Sequence, residues 1–252
     1  MISKSQIKHI KALHTKKHRE EEQAFIVEGI KSVMEIVNED PKLIREIFAT
    51  EQFITTNHIA LTKANITYHS VTEKELLQIS QLSNPNDALA VCNYFEHLSD
   101  DLNLDTQFSF YLDDIRDPGN LGTIIRICSW FGITNLYCSP TTVELYNPKC
   151  IQSTMGAFLR VKVHYVKLEE LIANKNIKNI YATEMNSDNI YKEDLKSGLI
   201  IIGNEANGIG ELAKKLATKK LTIPSASQNT ESLNAAVATS IIASEFFRKR
   251  FA

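Results

Sequence analysis

The sequence predicts an α/β protein built on a parallel β-sheet and preceded by a smaller α/β domain. Three observations lead there. From residue 107 onward, apolar runs alternate with helical or polar stretches, the order that βα units produce. FSFYLDD and GLIIIGNE are apolar almost throughout rather than at every second residue, as expected of strands buried on both faces. The unusual loops DIRDPGN, GNEANGIG and PSASQNTESLN each follow a strand, the end at which ligands of such sheets bind.

Taken in order, KSQIKHIKAL places Ile7, Ile10 and Leu13 at helical spacing. FIVEGIKSVMEIV runs from a strand into a helix with Val33, Ile36 and Val37 on one side. LIREIFAT and ITYHSV read as strands, EKELLQISQL as a helix capped by Thr72, and DALAVCNYF as a closing strand. The polar, acidic segment 96–107 shows no periodicity and is predicted to be a linker, dividing the chain into domains of residues 1–98 and 107–252. In the second, FSFYLDD is a strand, LGTIIRICSWF a helix with Asn120 as N-cap and Gly132 at its end, and TNLYCSP, KNIYATEM, GLIIIGNE and KLTIPS are strands. A last helix opens at Ser232 and Asn234. Its small residues Ala235, Ala236, Ala238, Ser240 and Ala243 predict close helix packing.

The 252 residues, 43% hydrophobic and 23% charged, suit a globular protein. No run of about 18 apolar residues occurs, and the N-terminus lacks the apolar stretch of a secretory signal, so a cytoplasmic protein without a membrane span is expected. The four cysteines have neither CxxC nor metal-ligand spacing, which argues for reduced packing residues and no metal site. A net charge of −2 does not favour nucleic acid, but Lys4, Lys8, Lys11, Lys16, Lys17 and Arg19 crowd into a stretch free of acids. That stretch either tracks a phosphate backbone or forms an ordinary solvated helix face.

Gly203, Gly208 and Gly210 fit neither GxGxxG nor GxxxxGK[ST], which disfavours a triphosphate site. Their loop offers backbone donors and acceptors suited to an adenine, or is simply a glycine-rich turn. Arg126 falls off the apolar side of its helix, near Gly122, Thr123, Ser129 and Trp130; it faces a ligand or solvent, and the tryptophan argues for something covering that face. Ser232 either simply caps the last helix or, with Asn234, aims a hydroxyl and an amide at a reacting group.

Together the three loops resemble the SpoU branch of the knotted methyltransferases. The first family motif is matched by Asp117, Pro118, Gly119, Asn120, Gly122 and Arg126, the second by Gly203, Asn204, Glu205 and Gly208, the third by Ile223, Pro224, Ser232, Leu233 and Asn234. NPKCIQSTMGAFLRVKV is similar to the family's segment between its first two motifs, and KSQIKHIKALHTKKHREEEQAFIVEG more weakly to the start of its RNA-binding extension.

The resemblance implies a trefoil knot, a homodimer with residues of both subunits at each site, and a ribosomal-protein-like N-terminal domain that presents RNA. It implies S-adenosyl-L-methionine held by Thr183, Gly203, Asn204, Gly208, Ile223 and Leu233, and transfer of its methyl group to a ribose 2′-hydroxyl. Asn120, Arg126, Glu205, Ser232 and Asn234 become the catalytic candidates, and Lys8, Lys11, Lys16, Lys17 and Arg19 the RNA contacts. The extension favours rRNA over tRNA. A guanidinium is a poor base at neutral pH, so Arg126 is expected to grip a phosphate and stabilise negative charge on oxygen. A non-catalytic RNA-binding assembly factor on the same fold is disfavoured by the intact candidate set; an unrelated nucleotide-using α/β enzyme is disfavoured by the missing phosphate loops.

Overall fold

A computed structural model describes residues 2–95, 102–226 and 232–248. The chain divides into two compact units, one of Met1–Leu98 with Glu144–Leu159 and one of Ser99–Val143 with Arg160–Ala252.

The first unit begins with α1 (Lys4–Ala12) and α2 (Lys16–Glu22), then β1 (Ala24–Glu28), α3 (Ile30–Glu39), β2 (Ile44–Ala49), α4 (Glu51–Lys63), β3 (Tyr68–Ser70), α5 (Glu73–Ile79) and β4 (Ala88–Asn93). Its described strands form a sheet in the order β1-β4-β2-β3, with β4 antiparallel to both neighbours and β3 parallel to β2. The predicted faces are the ones buried: Ile10 and Leu13 meet Phe48, Leu76, Ile79 and Leu89 in one core. Thr72 caps α5 as expected, in a reciprocal capping box with Glu75. The helix α4 gave no clear periodic signal, because threonines interrupt its apolar positions Phe53, Ile54 and Leu61.

Residues 144–159, which the sequence places with the C-terminal part, pack into this first unit. They carry α7 (Pro148–Thr154). Tyr146 stacks on Tyr94 with ring centroids 3.6 Å apart, and Phe158 meets Phe25 edge-on. Gly156 has φ +87, a backbone conformation that strains any residue with a Cβ, and it lies against the Glu35 carboxylate. Arg19 requires a correction. Expected among the RNA contacts, it is 2% exposed, donates to the Leu13 carbonyl at 2.9 Å and pairs with Glu144. Counting charge along a sequence does not reveal that this cation is neutralised by an acid 125 residues away.

The second unit contains β5 (Phe108–Asp113), α6 (Pro118–Trp130), β6 (Asn135–Cys138), β7 (Lys162–Tyr165), α8 (Leu168–Lys175), β8 (Ile180–Asn189), β9 (Gly198–Gly203), α9 (Glu211–Leu216), β10 (Lys219–Thr222) and α10 (Ala235–Arg248). Its described strands are all parallel, in the order β10-β8-β9-β5-β6-β7. The predicted linker lies outside the described residues over 96–101. Its second half is not a free connection, since Leu102 and Leu104 bury in a core with Tyr111, Leu199 and Ile201. Two helix starts also differ from expectation. Asp117, not Asn120, is the N-cap of α6, because Pro118 takes the first helical position and Asp117 accepts from the Asn120 N–H. At α10, Asn234 rather than Ser232 does the capping, its Oδ1 accepting from Ala236 N and Val237 N. Gly132, at φ +68, ends α6 as predicted. The buried small residues Ala235, Ala236 and Ala243 let α10 approach α6 closely, and Phe246 packs against Phe108 and Tyr181.

All four cysteines are buried, and burial pushes the Cys92 and Cys128 thiols up, as for packing residues. No described helix is long and apolar enough to cross a membrane.

Removing one partner of a buried ion pair strands the other charge. Glu144→Ala is therefore expected to lower the unfolding free energy in urea by about 3–5 kcal/mol. A loss below about 1 kcal/mol, the range of surface pairs, would overturn the structural role given to Arg19.

Candidate functional site

In a parallel sheet, a crevice opens where consecutive strands leave a central strand in opposite directions. Here that strand is β5. From it the chain proceeds to β6 and β7 on one side, then crosses to β8, β9 and β10 on the other. Asp113 pairs in register with Gly203, so the loops after β5 and β9 leave the sheet at one level. These are the loops that carry DIRDPGN and GNEANGIG.

A chain of amide hydrogen bonds joins these loops to the start of α10. The backbone N–H groups opening α10 need an acceptor, which turns Asn234 Oδ1 towards them. Asn234 Nδ2 is then left to donate to Asn120 Oδ1 at 2.9 Å. With its oxygen occupied, Asn120 donates from Nδ2 to Glu205 Oε1. Residues separated by 114 and 85 positions thus share one directed relay whose last acceptor is a carboxylate.

The glycine-rich loop folds back on its own strand. Asn204 and Gly208 exchange backbone hydrogen bonds of 2.9 Å in both directions, and a Cβ on Gly203 would run into the backbone of Gly208 and Ile209. Gly208 has φ +67. Asn204, nearly buried, accepts from Ala206 N at 2.8 Å and donates to the Asp114 carbonyl at 2.7 Å. Asp113 accepts from Gly210 N at 2.7 Å. The acid pair Asp113 and Asp114 therefore ties the two loops together, a role the sequence reading missed. The pair was visible at the end of FSFYLDD, but only the β5–β9 neighbourhood reveals its partner.

The other predicted site residues are placed as follows. Thr183 lies in β8 and donates to the Ile201 carbonyl at 2.9 Å. Ile223 directly follows β10, at the same carboxyl end of the parallel strands as Gly203. Ser232 and Leu233 are exposed beside Asn234. Arg126 is not drawn into the amide relay; it is exposed on α6, one turn before Trp130, which is 84% exposed. In the first unit, Lys8 and Lys11 are exposed along α1 in line with Lys4. Lys16 and Lys17 are partly offset by Glu20 at 3.6 Å and Glu21 at 3.9 Å.

Residues 107–244 match the SpoU rRNA Methylase family, and residues 4–90 match the MRM3-like substrate binding domain. Over 240 residues, 94% of this chain and 93% of the relative, the sequence is 26% identical to the 23S rRNA (guanosine(2553)-2'-O)-methyltransferase RlmP of Bacillus subtilis. An AdoMet-bound rRNA methyltransferase from Sinorhizobium meliloti is similar in structure with a TM-score of 0.86 at 25% identity, over 100% of this chain and 98% of that one. The SpoU methyltransferase AviRb from Streptomyces viridochromogenes, in complex with AdoMet, has a TM-score of 0.84 over 99% of both chains; at 21% identity that likeness is one of fold.

The relay separates two functions of Asn234 that substitution can distinguish. Asn234→Ala removes the helix cap and is expected to lower the unfolding free energy by about 1 kcal/mol, whereas Asn234→Asp keeps a capping oxygen and should lose less than half as much. Equal losses in urea titrations would overturn the capping assignment.

Proposed function

The chain belongs to the SpoU rRNA methylase family, and from that membership we propose that it transfers a methyl group from S-adenosyl-L-methionine to a ribose 2′-hydroxyl of rRNA. The observation that carries this reading is the convergence of Asn120, Glu205 and Asn234, one from each family motif, beside the switch point of the sheet. A 23S rRNA enzyme as a relative over nearly the whole chain, and a substrate-binding domain matched at residues 4–90, favour rRNA over tRNA.

The residues present fit the methyl donor. Segments 113–126 and 203–210 carry Asp113, Asp114, Asp117 and Glu205 against Arg116 and Arg126, a balance that suits a cationic sulfonium better than a triphosphate. The Gly203 to Gly208 turn exposes backbone where an adenine needs donors and acceptors. Gly203, Asn204, Gly208, Ile223 and Leu233 would hold the cofactor, with Thr183 fixing the strand beside them. When bound, S-adenosyl-L-methionine supplies an electrophilic methyl group.

The protein's own task is alignment and charge. The relay from Glu205 through Asn120 to Asn234 holds the ends of three loops in one geometry, which favours in-line attack. Ser232 and Asn234 face the acceptor ribose. Arg126 grips the adjoining phosphate and stabilises negative charge developing on the 2′-oxygen, while phosphate or solvent accepts the proton of the hydroxyl.

Residues 1–98 form the RNA substrate-binding domain in this reading and residues 107–252 the methyltransferase domain, with the 144–159 excursion joined to the former. The exposed line of Lys4, Lys8 and Lys11 offers the RNA a positive track, to which the partly offset Lys16 and Lys17 add less. A second copy of the chain covers Trp130, and the trefoil knot belongs to the same reading; the support for both is family membership, with bare apolar surface on α6 added for the dimer. We place the protein in the cytoplasm, where rRNA is assembled in bacteria.

Deleting the protein is expected to abolish one 2′-O-methyl mark on rRNA in mass mapping. In vitro, Arg126→Ala should lower turnover by about a hundredfold or more while calorimetric affinity for S-adenosylmethionine stays unchanged. Intact rRNA marks in the deletion strain would overturn the rRNA reading, and a lost tRNA mark would move the substrate to tRNA. For the dimer, Trp130→Glu should convert the light-scattering mass from two chains to one; a wild-type chain that is already monomeric would defeat it.

A further inference from the structure

We infer that Arg116 is a second phosphate-binding residue of the acceptor site, held in position by Asp114. The inference rests on the methyltransferase reading above and specifies how a locally acidic site receives a polyanion. Asp114 directly follows β5 and takes a left-handed backbone conformation, φ +61, which a non-glycine residue adopts only against a steric penalty. Four contacts hold it there. Its N–H donates to Ser139 Oγ at 2.9 Å, its carbonyl accepts from Asn204 Nδ2 at 2.7 Å, and its Oδ2 accepts from the same Nδ2 at 3.4 Å and pairs with Arg116 Nη2 at 2.9 Å. Its Oδ1 is buried without a hydrogen-bond partner among the described residues.

This pair is poorly explained as a stabilising element. The Arg116 side chain is 72% exposed, and an ion pair so open to water contributes little to folding. What the pair does is fix a cation's direction, with one guanidinium nitrogen on an anchored carboxylate and the rest of the fork facing solvent. Arg116 directly precedes Asp117, the cap of α6, and lies four residues before Asn120. Within segments 113–126 and 203–210 its charge is matched only by Arg126, against four carboxylates. An approaching RNA strand therefore needs both arginines to overcome local repulsion, and a planar fork suits a phosphate oxygen pair.

The test uses the full-length chain with rRNA from the deletion strain. A charge-assisted contact is worth about 1.5–3 kcal/mol, so Arg116→Ala should raise KM for rRNA by about tenfold or more. It should leave kcat within about twofold and S-adenosylmethionine affinity unchanged. In filter binding, the slope of log K against log[salt] should flatten by about 0.7–0.9. Arg116→Lys keeps the charge without the fork, and should restore the salt slope with an intermediate KM. An unchanged KM and salt slope would make Arg116 a mere surface partner of Asp114, and weakened cofactor binding would place it in the other substrate's pocket; either overturns the inference. Filter binding involves no catalysis, so an inactive wild-type chain would sink the enzyme reading while the salt slope still decides the role of Arg116.

Discussion

The site depends on the pairing of β5 with β9. Six residues of each strand run in unbroken parallel register, from Phe108 opposite Gly198 to Asp113 opposite Gly203. Both strands are buried along most of their length, so neither can slide without exposing its apolar residues or unpairing backbone groups inside the sheet. The register therefore fixes where two loops leave the sheet, and with it the positions of Asp113, Asp114, Asn204 and Glu205. Were the pairing offset by one residue, Asp113 would no longer lie opposite the glycine whose missing side chain lets the loop fold back.

How much of this was legible in the sequence follows from the range of each interaction. Strands such as FSFYLDD and GLIIIGNE, and the Thr72 cap, are decided by neighbours within a few residues, and the structure has them where pattern and cap chemistry placed them. The helix starts at Asp117 and Asn234 were misplaced by a few residues because each stretch holds two residues chemically able to cap, Asp117 and Asn120 in one and Ser232 and Asn234 in the other. What chose Asp117 was the neighbouring Pro118, which pre-sets the first helical position. At α10 it is Asn234, next to the first helical residue, whose Oδ1 reaches Ala236 N and Val237 N, which leaves its Nδ2 for Asn120, more than a hundred residues earlier.

The long-range part was illegible for a different reason. Residues of the site could be named from three loops, but their connectivity is a property of strand order, which local pattern does not encode. The 144–159 excursion shows the same limit. Tyr146 and Phe158 read only as aromatic residues in a mixed segment, and nothing local says that Tyr94 and Phe25 are their partners. Arg19 is the sharpest instance: in sequence it is one more cation in a basic stretch, and in the fold it is the buried counter-charge of Glu144.

Charge places the last constraint on the site. The enzyme brings together a cationic methyl donor and a polyanionic acceptor, and a uniformly charged crevice would repel one of them. The loops resolve this by segregating their charges. Several carboxylates are engaged by donors of the loops themselves, Asp113 by Gly210 N, Asp117 by Asn120 N and Glu205 by the Asn120 amide, so their negative charge is partly offset where the loops meet. Arg126 and Arg116 are exposed, and their charge reaches solvent where a phosphate can find it. On the proposed reading, a nearly neutral protein of net charge −2 binds RNA at a site whose loops are acidic by composition, because the placement of charge rather than its sum sets the field each substrate meets.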